Sequence, residues 1–328
     1  MKLLRNWITV FLLLITAVSQ GQDISFSQFY SSPVQLNPAL AGQIEECARF
    51  TLNYRNQWPS IPNAFQTYQV SYDQSISSTN SSFGLIVNSD RQGNNAYVVN
   101  QASGIFAYQF RATQKTIVSA GLQATYFQNS LNTDKLVFAD QINLNGTNAP
   151  YSSGSITNEN ISFVDFSGGM AFDYDGRYFG GLAVHHMTQP SNSFTPTGNS
   201  YLPMRITIHG GANYRIDPAI HENKTKEFSP NFMYVKQGNF HQLNLGLYTH
   251  IKPLTFGMWF RHNFENPDAA IILLGLQLDK VKLGYSYDYS LSSLSGNAGG
   301  AHEISLSYRF CIYVEKSKKV RAIKCPEF

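Results

Sequence analysis

The chain has 328 residues, a formal net charge of +3 and 14 % charged residues, well under the roughly 25 % of ordinary soluble domains. Aromatics reach 14 %, with 19 Tyr and 23 Phe. So small a net charge gives no electrostatic footprint for nucleic acid, and beyond the N-terminus no apolar run approaches the ~20 residues of a spanning helix.

Lys2 and Arg5 precede the apolar stretch Trp7 to Val18, and Ser19 and Gly21 form a small-x-small cleavage pattern. This predicts an export signal over residues 1–21 with Gln22 first in the mature chain; a cut after Ser19 fits nearly as well. Residues 22–46 do not alternate and are rich in Gln, Ser, Pro and Asn. They predict an irregular N-terminal periplasmic arm, folding into or beneath whatever follows. Asn37-Pro38-Ala39 opens a turn, because proline fixes φ and biases the residue before it toward extended geometry. Phe26, Phe29 and Tyr30 are large apolar groups outside any strand, so they need a surface, their own barrel's periplasmic mouth or a partner.

From Cys47 onward the pattern has period two. Strands are predicted near 47–58, 64–75, 82–90, 96–111, 116–129, 161–173, 177–187, 205–215, 228–237, 240–250, 254–263, 269–278, 281–291 and 302–313. That is about fourteen, an even number, as single-chain bacterial barrels have. With both termini periplasmic, the compact connections at Tyr174-Asp175-Gly176, Lys252-Pro253 and Asp279-Lys280 fall on one side, and 216–227 is a longer one there. The long Asn/Ser/Gly/Thr-rich stretches 130–160, 188–204 and 292–301 fall on the other. A soluble sandwich has no reason to sort its loops by parity. The predicted fold is therefore all-β: a transmembrane antiparallel barrel over 47–313, followed by a basic periplasmic tail, 314–328.

Strand faces agree. Phe50, Leu52, Tyr54 and Trp58 oppose Arg49, Thr51, Asn53, Arg55 and Gln57; Val118, Ala120, Leu122, Ala124 and Tyr126 oppose Ser119, Gly121, Gln123 and Thr125. Ile304, Leu306, Tyr308 and Phe310 oppose Glu303, Ser305, Ser307, Arg309 and Cys311. The apolar sets face lipid and the polar sets line the lumen. Inward residues then include bulky Phe179, Trp259 and Tyr248 and the charges Arg49, Arg55, Asp73, Arg261, Asp288 and Glu303. Opposite charges that meet there would close the lumen, and fourteen strands are fewer than the ~16–18 of open porins.

Cys47, Cys311 and Cys325 are an odd set. Cys47 and Cys311 meet at the periplasmic rim of a closed barrel, so a seam bridge fits the geometry. Cys325 competes, and a bridge that pins the tail is preferred. His185-His186, adjacent in a predicted strand, would face opposite sides and could not share a metal. No catalytic constellation, phosphate loop, metal site or cofactor motif stands out, and the chain reads as no enzyme.

The series Phe26-Ser27-Gln28-Phe29-Tyr30, Pro33, Asn37-Pro38-Ala39, Gly42 and Tyr54-Arg55-Asn56-Gln57-Trp58, with Gly284-Tyr285-Ser286-Tyr287-Asp288 and His302-Glu303-Ile304 later, resembles the PorP/SprF family of Bacteroidetes outer-membrane proteins. The resemblance covers essentially the whole mature chain. It implies a barrel in the outer-membrane lipid beside the type IX secretion and gliding machinery. It implies as partner a secreted adhesin, retained at the surface through a type B C-terminal sorting domain. Some members instead connect to periplasmic components, a lipoprotein among the candidates. A passive porin is the remaining alternative. Partner contacts are expected at loops 130–160, 188–204 and 292–301 and the lumen charges, and periplasmic contacts at the arm and basic tail.

Overall fold

In the computed structural model the described residues are 23–44, 47–76, 78–137, 141, 159–195, 200–216, 226–264, 266–291, 299–311 and 322–323. The export signal, Cys325 and nearly all of the tail lie outside them.

The strands are β1 (Ala48–Gln57), β2 (Phe65–Ile76), β3 (Ser81–Gln92), β4 (Tyr97–Arg111), β5 (Thr116–Leu131), β6 (Asn160–Tyr174), β7 (Tyr178–His185), β8 (Arg205–Ala212), β9 (Tyr214–Arg215), β10 (Lys226–Gln237), β11 (Phe240–Ile251), β12 (Leu254–Asn263), β13 (Asn266–Leu278), β14 (Val281–Ser290) and β15 (Ala301–Phe310). Both β8 and β9 pair with β10, so they form one wall strand interrupted at Asn213. The wall is a closed antiparallel barrel of 14 strands. Closure comes from β1 pairing with β15, Ala48 opposite Phe310 and Gln57 opposite Ala301. Period-two patterning places nearly all these strands within a few residues of the sequence reading.

The two longest connections, 132–159 and 186–204, are at one end together with 291–300, while 216–225, as long as the last of these, is at the other. At the other end Asp175 and Gly176 take φ +57° and +66°, and the Gly176 N–H donates to Asp173. That Asp-Gly turn matches strand twist. Outward residues near this short-turn rim include Tyr108, Phe110, Tyr174, Tyr178, Tyr214 and Tyr308, all exposed. Such rings suit the interface between hydrocarbon and water.

The Cys47–Cys311 disulfide lies at the short-turn rim, across the closing seam, with Cα atoms 4.8 Å apart. The bridge therefore joins first strand to last, and the tail-pinning bridge is corrected. The geometric reason is that Cys47 precedes Ala48, whose partner Phe310 precedes Cys311.

Two further expectations change. Trp58 lies just past β1 at φ +60°, its ring on Phe65, and does not continue the strand's lipid face. His186 also lies past its strand, at φ +58°, so His185 and His186 are both buried instead of facing opposite sides.

The outward face of β13 tests the orientation. Ile272 is exposed there. We expect Ile272→Arg to destabilise the folded barrel in bilayers by about 2–4 kcal/mol. Denaturant titration of the liposome-inserted protein, followed by tryptophan fluorescence, measures this.

Candidate functional site

The lumen wall is polar by alternation, and polar groups buried from water need partners. The arm supplies them. Its described part, 23–44, is buried almost throughout. It runs inside the barrel from the long-loop end, where Asp23 meets His186 and Gln237, to the short-turn rim at Cys47. Of the two paths expected for the arm, into the barrel or beneath it, the described part takes the first and is a plug along the lumen. It has little regular structure, only a four-residue helix α1 (Pro33–Leu36) and a 3-10 turn at Pro38–Leu40. Its backbone N–H groups therefore seek acceptors on the wall.

The tightest of these contacts surrounds Ser27 and Gln28. Glu303, fully buried on β15, accepts the Ser27 N–H at 2.8 Å and the Gln28 N–H at 2.9 Å. The Gln28 side chain donates to the Glu303 carbonyl at 2.9 Å and accepts from the Ser305 hydroxyl at 2.7 Å. Arg55 donates to Glu303 at 3.1 Å and to Asp288 at 3.2 Å. Arg261 donates to the same Asp288 oxygen at 3.1 Å and to the Ser27 hydroxyl at 2.7 Å. Ser27 in turn donates to Asp288. Two cations and two anions from β1, β12, β14 and β15 thus close around one arm residue, with formal charges cancelling. Removing one member would leave its partners charged in a dry site.

Below this, Phe29 and Tyr30 enter an aromatic seat. Phe29 meets Trp259 edge-on at 4.6 Å, and Tyr30 lies 6.0 Å from Phe179 and 6.3 Å from Tyr248. Trp259 and Tyr248 fit because each lies over a cross-strand glycine: a Cβ on Gly246 would sit 1.9 Å from the indole, and one on Gly257 2.7 Å from the phenol. Ser31 donates to Asn53, and Ser32 to Gln69. Pro33 is buried as the first residue of α1, where its missing N–H costs nothing.

The turn at Asn37-Pro38-Ala39 lies against wall glycines. Asn37 accepts from the Ala39 N–H at 2.9 Å and donates to the Met170 carbonyl at 3.0 Å. A Cβ on Gly121 would lie 2.4 Å from the Pro38 backbone, and one on Gly169 2.0 Å from the Asn37 side chain. Gly42, at φ +68°, donates its N–H to Asp73, which also holds Arg49 through two contacts of 2.9 and 2.8 Å. At the short-turn end the described tail residue Ile323 is buried, and its N–H donates to Gln43 at 2.9 Å.

Of the other motif residues, Phe26 is buried in the plug. Tyr54 faces outward against Tyr68 at 5.0 Å, Gln57 accepts from Arg55, and Asn56 pairs with His302 across the seam. All six expected inward charges are buried, in two groups: Arg49 with Asp73, and Arg55, Arg261, Asp288 and Glu303. Sequence reading missed Asn53, Gln69 and His209 as plug contacts; lumen-facing glycines opposite a proline-containing arm were the available signal.

At the long-loop end His186 donates to Asp23 at 2.7 Å and to Asp165 at 2.8 Å. Thr188 also donates to Asp165. Burial disfavours the His186 charge, but the carboxylates on both sides more than reverse this and hold its pKa at about 9, against 6.5 ordinarily. For Asp23 burial acts upward, and the His186 and Arg205 charges overcome it, holding the carboxyl well below its usual range. A polar cavity of about 20 Å³, room for about one water, lies beside this latch between Gln101, Gln123 and Arg205.

With this geometry in view, comparison gives a consistent placement. Residues 18–308 match the family described as type IX secretion system membrane protein PorP/SprF. No curated protein matches. Solved structures of similar shape include the Ralstonia pickettii toluene transporter TbuX, at 12 % identity, covering 84 % of this chain and 93 % of that one, TM-score 0.47. A Pseudomonas aeruginosa FadL homologue has 12 % identity and the same coverages, TM-score 0.42. The Acinetobacter baumannii outer membrane protein Omp33 has 8 % identity, covering 81 % and 98 %, TM-score 0.46.

Two predictions follow from the plug contacts. Arg55→Ala should destabilise the barrel by about 3–5 kcal/mol, and the double variant Arg55→Leu with Glu303→Leu by less than the sum of its single changes. Denaturant unfolding followed by Trp259 fluorescence measures both. The His186 pKa is raised on folding, so its stabilisation is complete below pH about 6.5 and is lost as pH rises through about 9. Thermal stability should therefore fall from pH 7 to 10 more steeply in the wild type than in His186→Asn, as read by heat-modifiable gel mobility.

Proposed function

The chain belongs to the PorP/SprF family of type IX secretion system membrane proteins, and from that premise we propose that it is a non-enzymatic anchor that retains a secreted surface protein on the outer membrane. The observation that carries this reading is the occupied lumen. The arm fills it, and Glu303 and Asp288 hold Ser27 between two arginines. A passive porin needs an open aqueous path, whereas an anchor needs a rigid body with surfaces at its ends. The retained protein is an adhesin-like chain carrying a type B C-terminal sorting domain, as the family resemblance implies. The long-loop end faces the cell exterior and meets that protein.

A second reading is a structural link to periplasmic parts of the secretion machinery. Ile323, bonded to Gln43 beneath the plug, favours it, because it holds this point of the chain at the short-turn mouth. Both roles can coexist on opposite ends of one barrel.

Gene deletion followed by protease shaving of intact cells and mass spectrometry tests retention. A large surface protein with a C-terminal sorting domain should leave the cells and appear in the medium. An unchanged surface set would overturn the anchoring role. Purified protein in planar bilayers should show no large steady conductance, and open-channel currents would contradict the plugged lumen.

A further inference from the structure

The barrel wall has a step. β6 is bonded to β5 from Asn160 opposite Ser130 to Tyr174 opposite Thr116. On its other side β7 reaches only from Tyr174 to Gly168. Past His185 the chain leaves the wall and turns inward. Thr188 bonds to Asp165, Asn192 to the buried Asn129 at 2.8 Å, and the Phe194 ring lies 6.0 Å from Tyr97. The long-loop half of β6 thus has β5 on one side and no neighbouring strand on the other among the described residues.

The direction of its amides follows from alternation. The Glu159 carbonyl accepts from Leu131 on the β5 side, and the Phe166 carbonyl accepts from Met187, at 3.0 Å, on the other. Residues of even number therefore point N–H and C=O away from β5. No described residue meets the backbone N–H or C=O of Ser162 or Val164 on that edge.

Beside these groups the outer wall is concave. Small Gly104 and Ala124 lie between Phe106, Leu122 and Met187, leaving an apolar groove of about 660 Å³. Phe166 lines it, and Val164, the next outward residue of β6, is exposed. An acyl chain could fill the groove but offers nothing to the amides. A helix has its own backbone groups spent along its length. Alternating donors and acceptors on a strand edge match another extended backbone.

We infer that the edge of β6 at Ser162 and Val164, which no described residue meets, pairs with an extended segment of the retained secreted protein, one of whose apolar side chains lies in the groove at Phe106, Leu122 and Met187. This rests on the anchoring reading and specifies its contact. The site is at the long-loop end, where an external partner arrives. Strand addition gives a continuous bonded seam without disturbing the plug.

The test uses the full-length protein in its own cells. p-Benzoylphenylalanine is placed at position 162, with position 272, on the lipid face of β13, as control. After irradiation, position 162 should cross-link to the same secreted protein that is lost on gene deletion, and position 272 should not. Ser162→Pro removes only an edge-facing N–H and obstructs a new strand, so it should keep heat-modifiable mobility while weakening retention about tenfold. Cross-links from position 162 confined to this chain, or to lipid, overturn the edge site. So does a folded Ser162→Pro protein that retains its partner fully. Both leave anchoring intact if deletion still releases the partner. If deletion releases nothing, the anchoring role itself fails. Should Ser162→Pro not fold, the cross-linking result alone decides.

Discussion

Every other feature of the lumen depends on one reciprocity. A closed strand wall must turn alternate side chains inward, and here that inward face carries Arg55, Arg261, Asp288 and Glu303. An arm with almost no helix or strand brings backbone N–H groups, those of Ser27, Gln28 and Gly42 among them, that bond to wall carboxylates and not to the arm's own carbonyls. Each side holds what the other lacks. Glu303 accepts two successive arm amides and still faces Arg55, so a buried carboxylate is neutralised and hydrogen-bonded at once. Were either side absent, the remaining charges would lie in a cavity that must flood or collapse. The plug is thus part of the folding unit of the barrel, and no separable lid.

Shape follows the same rule. The arm can pass close to the wall only where the wall lacks Cβ atoms, as at Gly121 and Gly169 beside Asn37-Pro38. Where the wall carries large rings, they fold over glycines on the next strand, as Trp259 does over Gly246. The Phe29 and Tyr30 rings then meet a preformed seat. The arm's proline turn and the wall's glycines are two halves of one constraint, far apart in sequence.

Much of this architecture was legible before any coordinates. Period-two alternation along β1 or β14 is strong because each strand has one face in lipid and one in a polar interior, so a one-residue slip would expose Arg55 or Asp288 to hydrocarbon. Inward charges could be named for the same reason. The path of the arm could not, because a segment without periodicity carries no record of which surface it covers. Phe26, Phe29 and Tyr30 announced only that they needed one. Alternation also failed at its margins. His186 and Trp58 were read as strand residues, yet both adopt positive φ and end the pattern, which places His186 inside beside Asp23. The seam disulfide was within reach of the sequence, since closing the barrel brings Cys47 to Cys311, but nothing in spacing excluded the tail cysteine.

The occupied lumen also limits how a partner can act. To draw the arm out, a partner would have to separate Ser27 and Gln28 from Glu303 and leave Arg55, Arg261, Asp288 and Glu303 facing one another across an emptied interior. Desolvated charges make that route far costlier than binding at a surface already open. The arm is also tied at the short-turn rim, where it leads directly into the Cys47–Cys311 bridge. On the anchoring reading, then, load applied from outside passes into a stiff, cross-linked cylinder and is not relieved by opening it. On that reading retention depends on which edges and loops the wall presents, and at the step between β6 and β7 no described residue meets the backbone of Ser162 and Val164 on the outer edge.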